Sequence, residues 1–333
     1  MNWRSMIRQL ISEALLKMSW EAWVTNPMMS TYHNPVLLHE SLEALTIDPA
    51  GVYVDVTFGG GGHSREILKR LNSQGCLIAF DQDPDAVQNV PDDQRFTLVR
   101  TNFRNLRKGL AECGVEKVNG ILADLGVSSH QFDTAERGFS IRFEGPLDMR
   151  MNPAQPLSAK EILAKYDQQE LRNIFRLYGD VDNAGFVAKK IVEARELKPL
   201  NTVEDLKSVL LPLSKRGREN QYLAKVFQAL RIEVNSELDA LREMLEQAAE
   251  VLEVSGRLVV ISYHSLEDRM VKNFFRSGSF EGDQQKDFYG NLIRPLEPIS
   301  MKAILPVENE IELNPRARSA KMRVAEMPGK PDE

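Results

Sequence analysis

Residues 52–64, Val-Tyr-Val-Asp-Val-Thr-Phe-Gly-Gly-Gly-Gly-His-Ser, restrict the fold of this chain more than any other stretch. The β-branched and aromatic run Val52, Tyr53, Val54 and Val56 predicts a short buried strand. Gly59 to Gly62 then form a loop with almost no steric limit, where a ligand can approach backbone N–H groups. Ser64 is placed to cap a helix over residues 65–71. Strand, glycine turn and helix predict the first unit of a nucleotide-type α/β fold, with its ligand beyond the carboxyl ends of the strands.

The rest of the chain extends that pattern. Further strands are expected at Cys76–Phe80, ending at Asp81, at Phe96–Val99, and at Val118–Ala123, ending at Asp124. Asp83-Pro84-Asp85 opens a helix between the second and third, with Pro84 suited to a first turn. Strands alternating with helices predict a mostly parallel sheet covered on both faces. The pattern breaks at 125–156, which is rich in Gly, Ser, Pro and Arg. Residues 158–228 then read as helices (159–166, 168–178, 185–196 and 202–211), a helical insertion. After it, Ser236 to Glu253 reads as an amphipathic helix, with Ser236 and Asp239 as a capping pair and Gly256 as its stop. Arg257–His264 is the clearest buried strand, followed by a helix over 266–275. Met301–Leu305 and Ala320–Ala325 are candidates to close the sheet.

Composition narrows the function classes. No apolar run approaches the roughly 18 residues that cross a bilayer, so no membrane association is expected. Cys76 and Cys113 give neither a disulfide framework nor a metal spacing, which fits a reducing cytosol. A net charge of −6 argues against indiscriminate nucleic-acid binding but leaves room for local basic faces. Such faces are expected around Arg100, Arg104, Arg107 and Lys108, around Lys215, Arg216 and Arg218, and in the acid-free run holding Arg316, Arg318, Lys321 and Arg323. Arg137, Arg142 and Arg150 lie in the irregular loop with Phe132, Phe139 and Phe143, rings that either stack on an unpaired base or pack in a core. Residues 1–29 form an amphipathic segment read as a dispensable extension in preference to a functional helix or membrane-surface anchor, with Met28-Met29 a candidate second start site.

Three acids end three strands: Asp55, Asp81 and Asp124. Asp81, 19 residues beyond Gly62, is placed to accept hydrogen bonds from ribose hydroxyls. A dinucleotide fingerprint starting at Gly59 and Gly61 needs a third glycine where Ser64 stands. Residue chemistry therefore favours S-adenosylmethionine, which has no pyrophosphate, over NAD, although an NAD-dependent oxidoreductase stays open at this level. Asp124, opening Asp124-Leu-Gly-Val-Ser-Ser-His-Gln-Phe-Asp133, can accept an N–H bond from an exocyclic base amine or hold the methionine end of the donor. The Asp/Asn/Ser-Pro-Pro-aromatic tetrapeptide of many amino-methyltransferases is absent. His63 is read as part of the cofactor pocket and His264 as a cap on the helix after its strand.

Together these stretches resemble one family, the bacterial 16S rRNA cytosine-N4 methyltransferases (RsmH/MraW). The matching runs are 33–40, 57–64, 80–85, 124–129, 136–140, 145–151, 227–238, 264–269 and 314–319, in order over about 31–325. The resemblance implies a Rossmann-like class I methyltransferase sheet with an inserted helical domain. The expected division is an extension at 1–30, a discontinuous methyltransferase domain at 31–132 and 229–333, and a helical substrate-recognition insertion at 133–228. It implies transfer from S-adenosyl-L-methionine to the N4 amine of one cytidine in the decoding region of 16S rRNA, within the small ribosomal subunit. Carried over by position, the cofactor touches Gly61, Gly62, His63, Asp81, Phe103, Asp124 and Gln131, with Phe103 placed to stack on adenine. Asp124 is the catalytic candidate, in a direct in-line transfer with no metal and no covalent intermediate. A non-catalytic, cofactor-holding ribosome-assembly factor is the remaining rival. Oligomeric state, a dimer included, is left open.

Overall fold

The structure is a computed structural model that describes residues 35–329. The N-terminal extension and the Met28-Met29 pair lie outside the described residues. A left-handed turn at Leu37 (φ 52°) leads into α1, Leu38–Leu45. Then come β1 (Val52–Asp55), α2 (Gly62–Arg70), β2 (Cys76–Phe80), β3 (Phe96–Val99), α3 (Leu106–Glu112), β4 (Val118–Asp124) and the short α4 (Ser129–Asp133). The helical stretch holds α5 (Ala159–Lys165), α6 (Gln168–Leu177), α7 (Ala184–Leu197), α8 (Val203–Leu210) and α9 (Glu219–Asn235). The chain returns through α10 (Glu237–Val251), β5 (Leu252–Ser262), α11 (Ser265–Ser277), β6 (Glu297–Pro298), α12 (Glu308–Leu313) and β7 (Lys321–Glu326).

The sheet order is β3-β2-β1-β4-β5-β7-β6. β1 to β5 run parallel, whereas β7 is antiparallel to both β5 and β6. The chain builds outward from β1 in one direction and from β4 in the other. The crevice between their carboxyl ends is thus the switch point where open α/β sheets bind ligands. Alternate strand residues feed two apolar layers, as a period of two requires. Val54, Ile78, Ile121 and Val260 pack with Leu106 and Leu110 of α3, Leu241 and Leu245 of α10, and Phe274 of α11. Tyr53, Leu77, Leu122, Val259 and Ile261 face the other way, onto Leu42 and Leu45 of α1, Ile67 and Leu68 of α2, and Met322 of β7.

A third core is built without strands. Leu163, Leu171, Phe175, Val187, Ile191, Leu206, Leu210, Val226 and Leu230 bury one another, joined by Phe139, Leu147 and Met149 from the irregular loop. An unbroken α9 runs across residue 228, and its side of this core extends to Val234. At its end the Asn235 side chain accepts from the Met151 N–H and donates to Met149 O, fixing the loop against the helix.

Several local expectations are corrected. Ser64 does not cap α2; Gly61 does, with φ 72°, and Ser64 lies inside the helix with its hydroxyl on Asp55. Ser236 carries no side-chain cap bond; it takes a left-handed conformation (φ 48°) that ends α9 as α10 begins. Gly256 lies inside β5, beside Ser255 at φ 65° and close to a break in the β4–β5 register, so it marks an irregularity of the strand and not the end of a helix. Met301–Leu305 contributes only an isolated bridge, Ile304 to Met322, because the Ser300 hydroxyl bonds the Lys302 backbone and turns the chain. The edge is instead the two-residue β6, where Pro298 is tolerated. The segment after Asp83 is a 3₁₀ turn, Pro84–Asn89, capped by the Asp83 carboxylate. Among the described residues, no helix is long and apolar enough to cross a membrane.

Candidate active site

The three strand-end acids do different work. Asp55 is buried and structural: it accepts from the Ser64 hydroxyl at 2.6 Å and from the Thr57 N–H at 3.1 Å, tying the start of α2 to the end of β1. Asp81 organises the glycine loop, accepting from the Gly59 N–H at 2.7 Å on one oxygen and the Asp83 N–H at 2.8 Å on the other. Burial pushes its carboxyl up to about 6, against the pull of those two amides, with Asp83 and Asp55 adding to the rise.

Asp124 is held from two sides. Its N–H donates to the Thr57 hydroxyl at 2.7 Å, and its Oδ1 accepts from the Tyr263 hydroxyl at 2.7 Å. Oδ2 stands 3.8 Å from Nδ1 of His63, too far for a hydrogen bond, and the side chain keeps 22% exposure towards the crevice. Burial pushes this carboxyl up to about 6, while His63 and the Tyr263 hydroxyl pull it down and Asp55 and Glu267 push it further up. His63 is buried, and its Nε2 lies 3.1 Å from the Val36 carbonyl. That carbonyl can only accept, so Nε2 carries hydrogen and Nδ1 is the nitrogen turned to Asp124.

The glycines are required by packing. A Cβ on Gly62 would stand 2.3 Å from Pro35 Cγ, and one on Gly61 would stand 2.8 Å from the Phe58 ring at a φ of 72°. Their N-terminal partner Pro35 thus seals the loop from behind. Phe103 opens a 3₁₀ turn after β3 and lines a cleft with Gln82, Asn102, Leu125, Gly126 and Leu241. Asn102 donates to the Gln82 carboxamide at 2.9 Å. Gln131 is buried and engaged: its Nε2 donates to Asp83 Oδ2 at 2.7 Å and its Oε1 accepts from the Ser128 N–H. Of the expected cofactor residues, Gly61, Gly62, His63, Asp81 and Asp124 gather around the loop and the ends of β1, β2 and β4. Phe103 stands at the adjoining cleft, and Gln131 acts one shell back, on the Asp83 carboxylate.

Sequence reasoning passed over the charges behind Asp124. Glu267 at the start of α11 accepts the Tyr263 N–H at 2.9 Å and lies 3.1 Å from Nε2 of His264. His264 caps α11, its Nδ1 accepting from the Glu267 N–H. Ligand atoms of Glu237, His264 and Glu267 converge within 4.8 Å, and the cation facing them is Arg231 of α9, which forks onto Glu237 at 2.8 and 2.9 Å. Despite its burial, Glu267 is held below the usual range by His264 and Arg231. These partners lie on three separate elements, so no local pattern announces them.

Five of the eleven arginines singled out as phosphate contacts are bound to acids remote in sequence. Arg104 pairs with Glu243, Arg107 with Glu250, Arg316 with Asp133, and Lys321 and Arg323 with Asp268. Arg137 is half-buried between Asp83, at 2.8 Å, and Asp85. Phe139 packs in the helical core; Phe132 lies beneath the guanidinium groups of Arg142 and Arg316, at 5.9 and 5.3 Å; Phe143 is exposed.

The signature of the MraW methylase family matches residues 30–328, the sheet, the crevice and the helical block together. The chain belongs to the MraW methylase family. Curated relatives named Ribosomal RNA small subunit methyltransferase H agree along nearly their whole length. The one from Cytophaga hutchinsonii is 56% identical over 297 residues, covering 89% of this chain and 99% of the relative. Those from Bacteroides thetaiotaomicron and Flavobacterium johnsoniae are 55% and 54% identical, each covering 89% of this chain and 97% of the relative. This methylase is therefore an S-adenosyl-L-methionine-dependent enzyme, and neither the oxidoreductase nor the non-catalytic reading is supported. The cleft offers that donor the ring of Phe103 with Leu125 and Leu241, the amides of Gln82 and Asn102 and the acids Glu237 and Glu267, and Asp81 stands just beyond the end of β2.

Proposed function

We propose that this methylase modifies the N4 amine of a single cytidine in the decoding region of 16S rRNA, within the small ribosomal subunit. The observation that carries the reading is Asp124: a carboxylate fixed at the end of β4, with one oxygen bound to Tyr263 and the other free beside the crevice. The exocyclic amine of cytosine is a poor nucleophile because its lone pair is delocalised into the ring. An acceptor for its N–H bond localises that pair, and Oδ2 of Asp124 is the acceptor at hand. S-adenosyl-L-methionine would supply an electrophilic methyl on its sulfonium sulfur, and Oδ2 of Asp124 stands ready to take the N4 proton that the amine gives up as it accepts that methyl.

The chain's own residues orient and exclude water. Gly61, Gly62, His63, Asp81, Phe103 and Asp124 would hold the donor, with Gln131 keeping Asp83 and the start of α4 in place. Proximity and orientation then supply most of the rate. Neither cysteine is a candidate nucleophile. Cys76 opens β2, at the opposite end of that strand from Asp81, and Cys113 ends α3; burial raises both thiols above the usual range. The helical block built on α5–α9, which we read as the substrate-recognition insertion, borders the crevice through Met151 and Asn235. Among the described residues, the exposed Lys215, Arg216 and Arg218 at its edge, Arg142 in the loop leading to it and Arg318 near the C-terminus have no acid partner and are candidates for phosphate contacts.

The test incubates the protein and methyl-labelled donor with small ribosomal subunits, followed by nucleoside analysis. Label in N4-methylcytidine at one position supports the assignment; label in any other nucleoside overturns it. Full activity in Asp124→Ala removes Asp124 from the mechanism.

A further inference from the structure

We propose that Tyr263 is a positioning residue for methyl transfer: its hydroxyl holds the Asp124 carboxylate in one orientation and keeps it ionised, so that Oδ2 alone faces the target amine. The inference rests on the reading of Asp124 as the amine acceptor and adds the group that makes it competent.

The geometry is a chain of fixed contacts. A strand-end aspartate turns freely about its last side-chain bond unless something grips an oxygen. Here the Tyr263 hydroxyl grips Oδ1 at 2.7 Å while the Thr57 hydroxyl holds the backbone N–H of the same residue at 2.7 Å. Tyr263 is itself held through its N–H, which donates to Glu267 Oε2 at 2.9 Å, with Nε2 of His264 standing 3.1 Å from the other oxygen of Glu267. Gly126, just after β4 with φ 96°, runs beside the ring: a Cβ there would lie 3.6 Å from Tyr263 Cδ2. The ring therefore packs beside the Gly126 backbone while its hydroxyl reaches Asp124.

The same contact controls ionisation. The groups facing Asp124 are Asp55 from β1, His63 from α2, Tyr263 after β5 and Glu267 from α11. Burial, Asp55 and Glu267 favour the protonated carboxyl; His63 and the Tyr263 hydroxyl favour the carboxylate. A protonated Asp124 has no need of the amine's N–H bond and cannot take its proton. Tyr263 remains a donor throughout, since burial and the neighbouring Asp124 push its own hydroxyl well above the ordinary range.

The test compares wild type with Tyr263→Phe, which keeps the ring and removes only the oxygen. Two readouts are taken: the pH profile of methyl transfer to small subunits, and the titration of the Asp124 carboxyl by ¹³C NMR in donor-free protein. A hydrogen bond to a charged group is worth enough to move both upward by about one pH unit, and the lost orientation lowers the rate plateau above pH 8 by about tenfold. An unmoved Asp124 titration overturns the proposal, as does a plateau loss beyond about a hundredfold, which would place the hydroxyl on the reacting atoms. A wild-type profile without an acid limb, together with an active Asp124→Asn, instead sinks the acceptor reading; the NMR shift still decides whether Tyr263 holds the carboxylate.

Discussion

Replacing Asp124 by asparagine should stabilise the donor-free protein while abolishing its activity. Burial raises the carboxyl to about 6 from an ordinary 3.8, a shift of about 2.2 units. At about 1.36 kcal/mol per unit, ionising this group in the folded state costs about 3 kcal/mol by neutral pH. The sign follows from the direction of the shift. An acid whose folded value is raised contributes stability below its unfolded value, and that contribution is lost as pH rises through the folded one. Asparagine does not ionise and keeps an oxygen for the Tyr263 hydroxyl. The gain of Asp124→Asn should thus reach about 3 kcal/mol at pH 8 and fall to about 1 kcal/mol at pH 4.5. Thermal unfolding at both pH values measures it, with roughly 5 °C expected at pH 8 for a chain of this size. A variant no more stable than wild type at pH 8, or equally shifted at both pH values, refutes the burial argument. Loss of methyl transfer in the same variant would show stability yielding to function at one side chain.

Three further perturbations test other parts of the site. Asp81→Ala removes the acceptor for the Gly59 and Asp83 amides at the donor pocket; donor affinity by calorimetry should fall at least tenfold. Gly62→Ala puts a methyl 2.3 Å from Pro35 Cγ and should cost about 1–3 kcal/mol by denaturant unfolding, with part recovered in a Gly62→Ala, Pro35→Gly double variant. Arg137→Met breaks a pair whose side chains are 11% and 6% exposed, leaving Asp83 as a buried charge. A loss of about 3–5 kcal/mol is expected, and a melt unchanged from wild type would contradict it.

Sequence reasoning read the layered α/β plan because its signals are local. β2 and β3 fall at the expected residues, since short runs such as Cys76–Phe80 and Phe96–Val99 have apolar residues bounded by turn formers. The helices of 159–210 lie within a residue or two of their periodic pattern, with capping boxes at Ser158, Asp167 and Thr202. His264 caps α11 as a strand-end polar residue can. Errors gathered where a residue has two local roles. Ser64 and Ser236 look like caps in isolation, but Asp55 takes the hydroxyl of one and the α9–α10 junction imposes a left-handed backbone on the other.

The amino-acid order alone determined the strand-end acids, the glycine bend and the helical interruption, for each depends on residues within a few positions of one another. Only the tertiary structure decided what Asp124 is. Its orientation comes from Tyr263, 139 residues away, its ionisation from burial and from charges on β1, α2 and α11, and that of Glu267 behind it from His264 and Arg231. Likewise five of the arginines read as a phosphate surface, Arg104, Arg107, Arg137, Arg316 and Arg323, were committed by folding to distant acids. Hydrogen bonds and ion pairs act over a few ångströms in space without regard to separation along the chain, so a sequence names the groups and the fold chooses their partners.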